Sequence, residues 1–471
     1  MAYRYGDRDQ LSLFPPCVDD YVPKDAAVRA YDAMVEALDF KELGIEIDPR
    51  MVGNPQYDPR AMLKLHVYGI AYGVRSSRKL EREAHYNISF IWLMKQLKPD
   101  HKTIAEFRRK NKKALQNVLK QCARMCLKLE LVEGNTLFVD GSKIRANASL
   151  KNEWTKERCD RMLAKADENI RAILKECEDT DLQEETAPSL IKMQKELSDS
   201  KALQSKVRDI LNELTCKKKE EHNTTDPDCA AMHSTKGTHA SYNTQIVVDQ
   251  KHGLIVSADA TSDNNDMRQF AGQITQANET LGNKCSTACA DAGYANTPEL
   301  EKIAEQNIKI VVPSIAQASK KKPFAKKNFV YDKAKDCYTC PEGRTLIYRF
   351  TDSRGTSVYK TLKNVCKHCP SIGRCTKIKD GRVLYRFKDE ELKEKFEALY
   401  QQPECQQTYK LRKEKVELPF GHIKRNLKFD AFLLRGRDGA KAEISLASTC
   451  FNIARMITIF GVEGLIQKLH G

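Results

Sequence analysis

Two short apolar runs, each delivering an aspartate with a glycine close behind it, constrain this 471-residue chain more than any other feature. The first is Thr136-Leu137-Phe138-Val139-Asp140 before Gly141, and the second is Cys285-Ser286-Thr287-Ala288-Cys289-Ala290-Asp291 before Ala292 and Gly293. Each reads as a β-strand ending in a carboxylate. A single aspartate in a Gly turn is ordinarily a solvated turn residue. Two of them, 151 positions apart, are the pattern of a sheet that brings distant acids to one cleft. Buried close together they repel, and divalent cations are the usual compensation at phosphoryl-transfer sites.

The surrounding segments are consistent with such a sheet. Residues 1–130 are mostly helical by pattern, with Met62, Leu63, Leu65, Val67, Tyr68 and Ile70 recurring after Pro59, and further helices beginning near Ser76 and Asp100. Short basic helices joined by turns suit a helix-turn-helix DNA reader, and equally a bundle with solvated cationic faces. Residues 150–232 are dominated by a Lys-, Glu-, Leu- and Ala-rich stretch broken by Pro188, which predicts a helical hairpin. A β-hairpin is predicted from Ala240–Asp249 and Leu254–Ala258. A helix over 266–281, a helix over 298–306 and a strand over 308–312 follow. Glu390–Glu417 is helical apart from Pro403, and Glu443–Ile466 carries an apolar face.

In order, these elements predict an α/β, RNase H-like mixed-sheet catalytic core over 131–318 and 389–460. An N-terminal helical, helix-turn-helix-like DNA-binding domain occupies 1–130. A helical insertion spans 150–232, and a basic cysteine-rich insertion spans 319–388.

Charge points to the same class of partner. The chain carries 79 Lys and Arg against 64 Asp and Glu, a net of +15, and clustered cations bind polyanions by releasing condensed counterions. Charges stand where a secretory signal needs an apolar run, and no stretch approaches about 18 uninterrupted apolar residues, so a cytoplasmic protein without membrane contact is expected. Sixteen cysteines are then thiols or metal ligands rather than a disulfide framework. Cys337-x-x-Cys340 and Cys366-x-x-Cys369, with Cys375 beyond, have the spacing of paired zinc knuckles, leaving the four ligands open among five cysteines and His368. Cys122, Cys126, Cys285 and Cys289 lie in apolar stretches and are assigned to packing.

Around the last candidate acid the text is Tyr409-Lys410-Leu411-Arg412-Lys413-Glu414-Lys415-Val416-Glu417-Leu418-Pro419-Phe420-Gly421-His422-Ile423-Lys424-Arg425. This resembles the carboxyl-terminal signature of DDE transposases from bacterial insertion sequences, in which Tyr and Arg precede a glutamate and Lys follows two helical turns later. The related pattern places Arg four residues before the glutamate, where this chain has Lys413, with Arg412 one earlier. Glu414 is the alternative third acid. Asp140–Ser149 resembles the family's first-aspartate motif and Ala290–Tyr294 its second. Tyr242–Gln245, Val247–Asp249, Arg435-Gly436 and Asn452 match the segments around them.

The resemblance implies a transposase that binds double-stranded DNA at transposon ends and target. It implies catalysis by Asp140, Asp291 and Glu417 holding Mg2+ or Mn2+, with Tyr409, Arg412, Lys424 and Arg425 toward phosphate and a structural Zn2+ on Cys340, Cys366, Cys369, Cys375 or Cys337. Hydrolysis at an end would precede attack of the freed 3′-hydroxyl, with a homodimer joining two ends. His422 is either a phosphate contact or a solvated helix histidine. Two other readings stay open: an RNase H-like nuclease that cuts without joining, and a zinc-containing DNA-binding protein without catalysis.

Overall fold

The computed structural model describes residues 17–47, 56–181, 187–216, 220–234, 237–314, 323–353, 355–362, 364–378 and 381–470. The chain begins with helices α1 (Ala27–Glu36), α2 (Phe40–Leu43), α3 (Pro59–Ala71), α4 (Ser77–Tyr86), α5 (Ile88–Leu93), α6 (His101–Lys110) and α7 (Lys112–Lys128). Local chemistry sets several of their starts. Asp58 caps α3, accepting from Arg60 N at 2.9 Å, while Pro59 takes the first helical position, where no amide donor is needed. Asp100 caps α6 by accepting from Thr103 N at 2.6 Å.

Helix α3 is buried from Ala61 to Ile70, so it must also bury Lys64 and His66. Lys64 is compensated by Asp32 and Glu36, each at 2.5 Å. His66 stacks on Phe107, and burial pushes its pKa down to about 3, so it is neutral at physiological pH.

The central sheet follows. Its first strand, β1 (Thr136–Arg145), leads to the short β2 (Glu153–Thr155), the helical hairpin α8 (Lys156–Asp181) and α9 (Ala187–Cys216), and then β3 (Glu221–Asn223), which pairs β2 at the hairpin's base. Strands β4 (Ala230–Ser234), β5 (Gly237–Asp249) and β6 (Ile255–Thr261) run antiparallel in succession. Helix α10 (Phe270–Leu281), β7 (Thr287–Cys289), α11 (Thr297–Ala304) and β8 (Lys309–Val311) complete this part. Among the described residues the sheet order is β4-β5-β1-β7-β8, with β6 also on β5. Strand β1 is antiparallel to β5 and parallel to β7, which is parallel to β8. The molecule is therefore mixed α/β.

A second, antiparallel sheet comprises β9 (Val330–Asp332), β10 (Cys337–Thr339), β11 (Thr345–Thr351), β12 (Ser357–Thr361) and β13 (Val383–Arg386), with its own small core of Phe329, Tyr338, Leu346, Tyr359 and Leu384. The chain then returns through α12 (Glu390–Tyr400), α13 (Pro403–Arg425) and α14 (Arg437–His470). By length and composition α14 could cross a membrane, but its Gly439–Ile453 stretch is buried, and the helix packs on α1, α3, α7 and β6. Asn452 pins it there, since its Oδ1 accepts from Ile255 N and its Nδ2 donates to Ile255 O, both at 2.8 Å.

The sequence pattern ends the first strand at Asp140, whereas β1 runs on to Arg145. The reason is the antiparallel partner: Gly141 to Arg145 stay extended because they pair with Gln245 to Ser241. The terminal helix is likewise longer than predicted and breaks at Gly461, where φ is +72°.

Candidate active site

Register brings the two sheet acids together. In the parallel β1–β7 pair, Phe138 stands opposite Cys289, where the pairing ends. Asp140 lies two residues further along β1 and Asp291 two residues past the end of β7, so the register delivers both to the same end of the sheet. Asp291 also opens a short turn, its Oδ1 accepting from Gly293 N at 2.7 Å.

Helix α13 closes the site from above. Arg412 donates to Asp140 Oδ1 at 2.7 Å and lies 3.5 Å from Asp291 Oδ2, so a single guanidinium spans both acids. Its Nε is buried without a partner among the described residues. Burial nevertheless dominates at Asp140. Desolvation outweighs the Arg412 cation, Asp291 and Asp266 add repulsion, and the pKa is pushed up to about 6.

Asp266, on the approach to α10, is a site residue that the sequence reading missed. Its Oδ1 accepts from Asn243 Nδ2 and Gln245 Nε2, each at 2.7 Å. Tyr294 in turn donates to Gln245 Oε1 at 2.5 Å. This network closes round Gly141, where a Cβ would lie 2.5 Å from Gln245 Nε2 and 2.6 Å from Asp266 Oδ1. A side chain there would have to displace those side-chain ends from their hydrogen bonds, and the constraint is space, as the φ of Gly141 is not in the left-handed region. The available signal was the matched Tyr242–Gln245 segment, whose Asn243 and Gln245, alternate on β5 and opposite Lys143 and Gly141, turn toward Asp266.

The remaining candidates are not gathered equally. Tyr409 stands among these groups, its hydroxyl pKa raised first by burial and further by Asp291 and Asp140, against Arg412. Lys424 donates to Ser142 Oγ and lies 3.5 Å from Lys143 O, so it grips β1 two residues past Asp140. Glu417, Glu414 and Arg425 are exposed. No side-chain hydrogen bond or ion pair reaches the Glu417 carboxylate among the described residues. Seven residues separate it from Lys424, which puts both on one stripe of α13, the stripe that Lys424 uses to meet β1. Glu414 lies off that stripe. His422 is half-buried against Phe451, and burial lowers its pKa, so it is not simply a solvated histidine.

Several matched residues prove to be architectural. Tyr242 donates to Asp226 Oδ1 at 2.7 Å, and the same oxygen accepts from Gly436 N at 3.2 Å, tying β5 to the loop before α14. Asp249 accepts from Gly134 N at 2.9 Å and Lys251 N at 2.8 Å, fixing the entry to β1.

As donors, two or three carboxylates suit a hard divalent cation, and the repulsion at Asp140 is what a cation would relieve. Among the described residues, however, no group of three or more His, Cys, Asp or Glu is spaced to hold an ion as it stands. The same holds at the cysteines. Cys340, Cys366, Cys369 and Cys375 line one cavity beside the second sheet, and Arg344 N donates to Cys340 Sγ at 3.3 Å. Burial raises the Cys375 thiol pKa, and the other three thiols raise it further. Their soft sulfur donors suit zinc, but they are not closed to ligating distance. Cys337, buried in β10, does not line that cavity, nor does His368. Cys122, Cys126, Cys285 and Cys289 are buried in the main core.

Comparison with known families identifies the class. A family model described as "Transposase DDE domain" matches residues 339–457, and one described as "Transposase domain (DUF772)" matches residues 16–110. Together the two matches indicate a DDE-type transposase of the insertion-sequence kind. The first match includes Arg412, Glu417 and Lys424, while Asp140 and Asp291 lie outside both. A cryo-EM structure of a piggyBac transposase synaptic complex with hairpin DNA aligns with 94% of this chain and 78% of its own at 9% identity, with a TM-score of 0.33. No curated protein matches.

Proposed function

We propose that this transposase cuts DNA at transposon ends and joins the freed 3′ ends to target DNA, with Asp140 and Asp291 as its first two catalytic acids. The observation that carries the reading is the single Arg412 guanidinium in contact with both acids, at the end of the sheet where the parallel β1–β7 pairing stops. The sheet path β6-β5-β1-β7-β8, antiparallel then parallel, supports an RNase H-like core over 131–318 and 389–460. Glu417 is the proposed third acid, favoured over Glu414 by the helix stripe it shares with Lys424.

Mg2+ or Mn2+ held by Asp140, Asp291 and Glu417 would activate the attacking water or 3′-hydroxyl and stabilise the leaving oxygen. The chain's own groups prepare the site. Arg412 neutralises the paired acids, the Asn243, Gln245 and Tyr294 network holds the sheet side rigid, and Lys424 offers a cation to phosphate beside Ser142. Tyr409 and Arg425 extend that cationic and polar approach. The helices of 1–130 are proposed to read duplex DNA, the hairpin of 150–232 and the segment 319–388 to be insertions, and Cys340, Cys366, Cys369 and Cys375 to hold a structural Zn2+. Two copies would join two ends, in the cytoplasm.

The test is cleavage of a duplex carrying the terminal repeats that flank the gene, followed by strand transfer of a pre-cut end. Asp140→Ala and Asp291→Ala are expected to lower Mg2+-dependent cleavage by about a thousandfold or more while duplex affinity stays within about threefold. Persistent cleavage in either variant would refute the assignment. Cleavage without strand transfer would favour a nuclease.

A further inference from the structure

One face of the second sheet packs into its small core, and the other carries two half-exposed aromatic rings. Leu346, Tyr359 and Leu384 turn into its small core. On the opposite face, register sets Phe350 opposite Val358 and Val358 opposite Tyr385, so the three stand abreast across β11, β12 and β13. Ile347, Lys360 and Val383 form the next row on that face. Phe350 is 51% exposed and Tyr385 53%, while Val358 between them is 4% exposed. At ordinary strand spacing the two rings stand about 10 Å apart. Solvent-facing sheet surfaces are normally polar, so paired half-exposed rings mark a contact surface.

Charge identifies what meets it. Residues 319–388 contain nineteen Lys and Arg against five Asp and Glu, a net of +14 in a chain whose total is +15. A second copy of so cationic a segment would be repelled. A polyanion with flat apolar faces fits both features, since bases stack on exposed rings while cations follow the phosphates. In a duplex those faces are hidden within the stack, whereas unpaired bases expose them.

We propose that this face binds unpaired DNA bases, with Phe350 and Tyr385 as stacking platforms and Lys360 beside them for phosphate. The proposal rests on the reading of the chain as an enzyme that opens DNA ends.

The experiment uses the full chain with labelled single-stranded oligonucleotides and blunt duplexes of equal length, read by fluorescence anisotropy. The Phe350→Ala, Tyr385→Ala double variant is expected to lose about a hundredfold in single-strand affinity, with duplex affinity within about threefold. Phe350→Trp should retain single-strand binding, and its fluorescence should be quenched by the oligonucleotide. Unchanged single-strand affinity in the double variant overturns the proposal. So does an equal fall for duplex, an unquenched Trp, or a change in oligomeric state by light scattering, which would assign the face to a second copy. Wild-type chain that binds neither form of DNA would sink the functional reading itself, which separates the two failures.

Discussion

Asp140 is held between opposing effects, and its protonation links the site to stability. A carboxyl whose folded pKa is raised to about 6 from 3.8 favours the folded state while protonated. That contribution is present below pH 3.8 and is lost as pH rises through about 6. In chelator, wild-type stability relative to Asp140→Asn should therefore fall across that window, by at most about 3 kcal/mol. Thermal melts of both proteins from pH 4 to 8 measure this, and a gap that does not change with pH would contradict it. Gly141→Ala probes the same ground sterically. The added methyl meets Gln245, Asp266 and Tyr294, so cleavage should fall at least about tenfold in a folded protein, and wild-type activity would mean the network is dispensable.

Asp140 and Asp291 were legible because a short apolar run ending in an aspartate, with a glycine one or two residues on, is a local signal. Asp266 was not, because its amide partners Asn243 and Gln245 lie more than twenty residues away and only β5 alternation turns them toward it.

At the scale of elements, α13 and α14 do different work. Helix α13 grips β1 at two places, through Arg412 at Asp140 and Lys424 at Ser142, so its placement sets the roof of the site. Its continuation past Pro419 is what puts Lys424 on the same helix as Glu417. Helix α14 ties the N-terminal helices to the sheet, and Asn452 satisfies both backbone groups of Ile255 at the β5–β6 irregularity. Asn452→Ala leaves that buried pair unmet and should cost about 2–3 kcal/mol in denaturant unfolding, with DNA affinity unchanged. A loss under about 0.5 kcal/mol would show that the pairing is not structural.

Helix periodicity and the Pro59 and Asp100 starts made most elements legible. The extent of β1 was not, since its second half is fixed by a partner strand a hundred residues away.

Across the whole molecule, charge and cysteine chemistry converge on the second sheet. If its four clustered cysteines hold zinc, purified chain should contain about one zinc per copy. Cys366→Ser and Cys369→Ser should remove it and Cys337→Ser should not, as judged by elemental analysis. A dependence on Cys337 instead would contradict the cavity assignment. Sequence spacing left five cysteines in play because it does not encode which face of a strand each occupies, whereas β10 keeps Cys337 away from the cavity.

The account turns on a cation shared by the two sheet acids. A crystal of the full chain with an end duplex and Mn2+, examined by anomalous scattering, tests this directly. Manganese density is expected against both Asp140 and Asp291, with Glu417 turned toward it. Manganese bound elsewhere, with the Arg412 bridge between the two acids intact, would contradict the account.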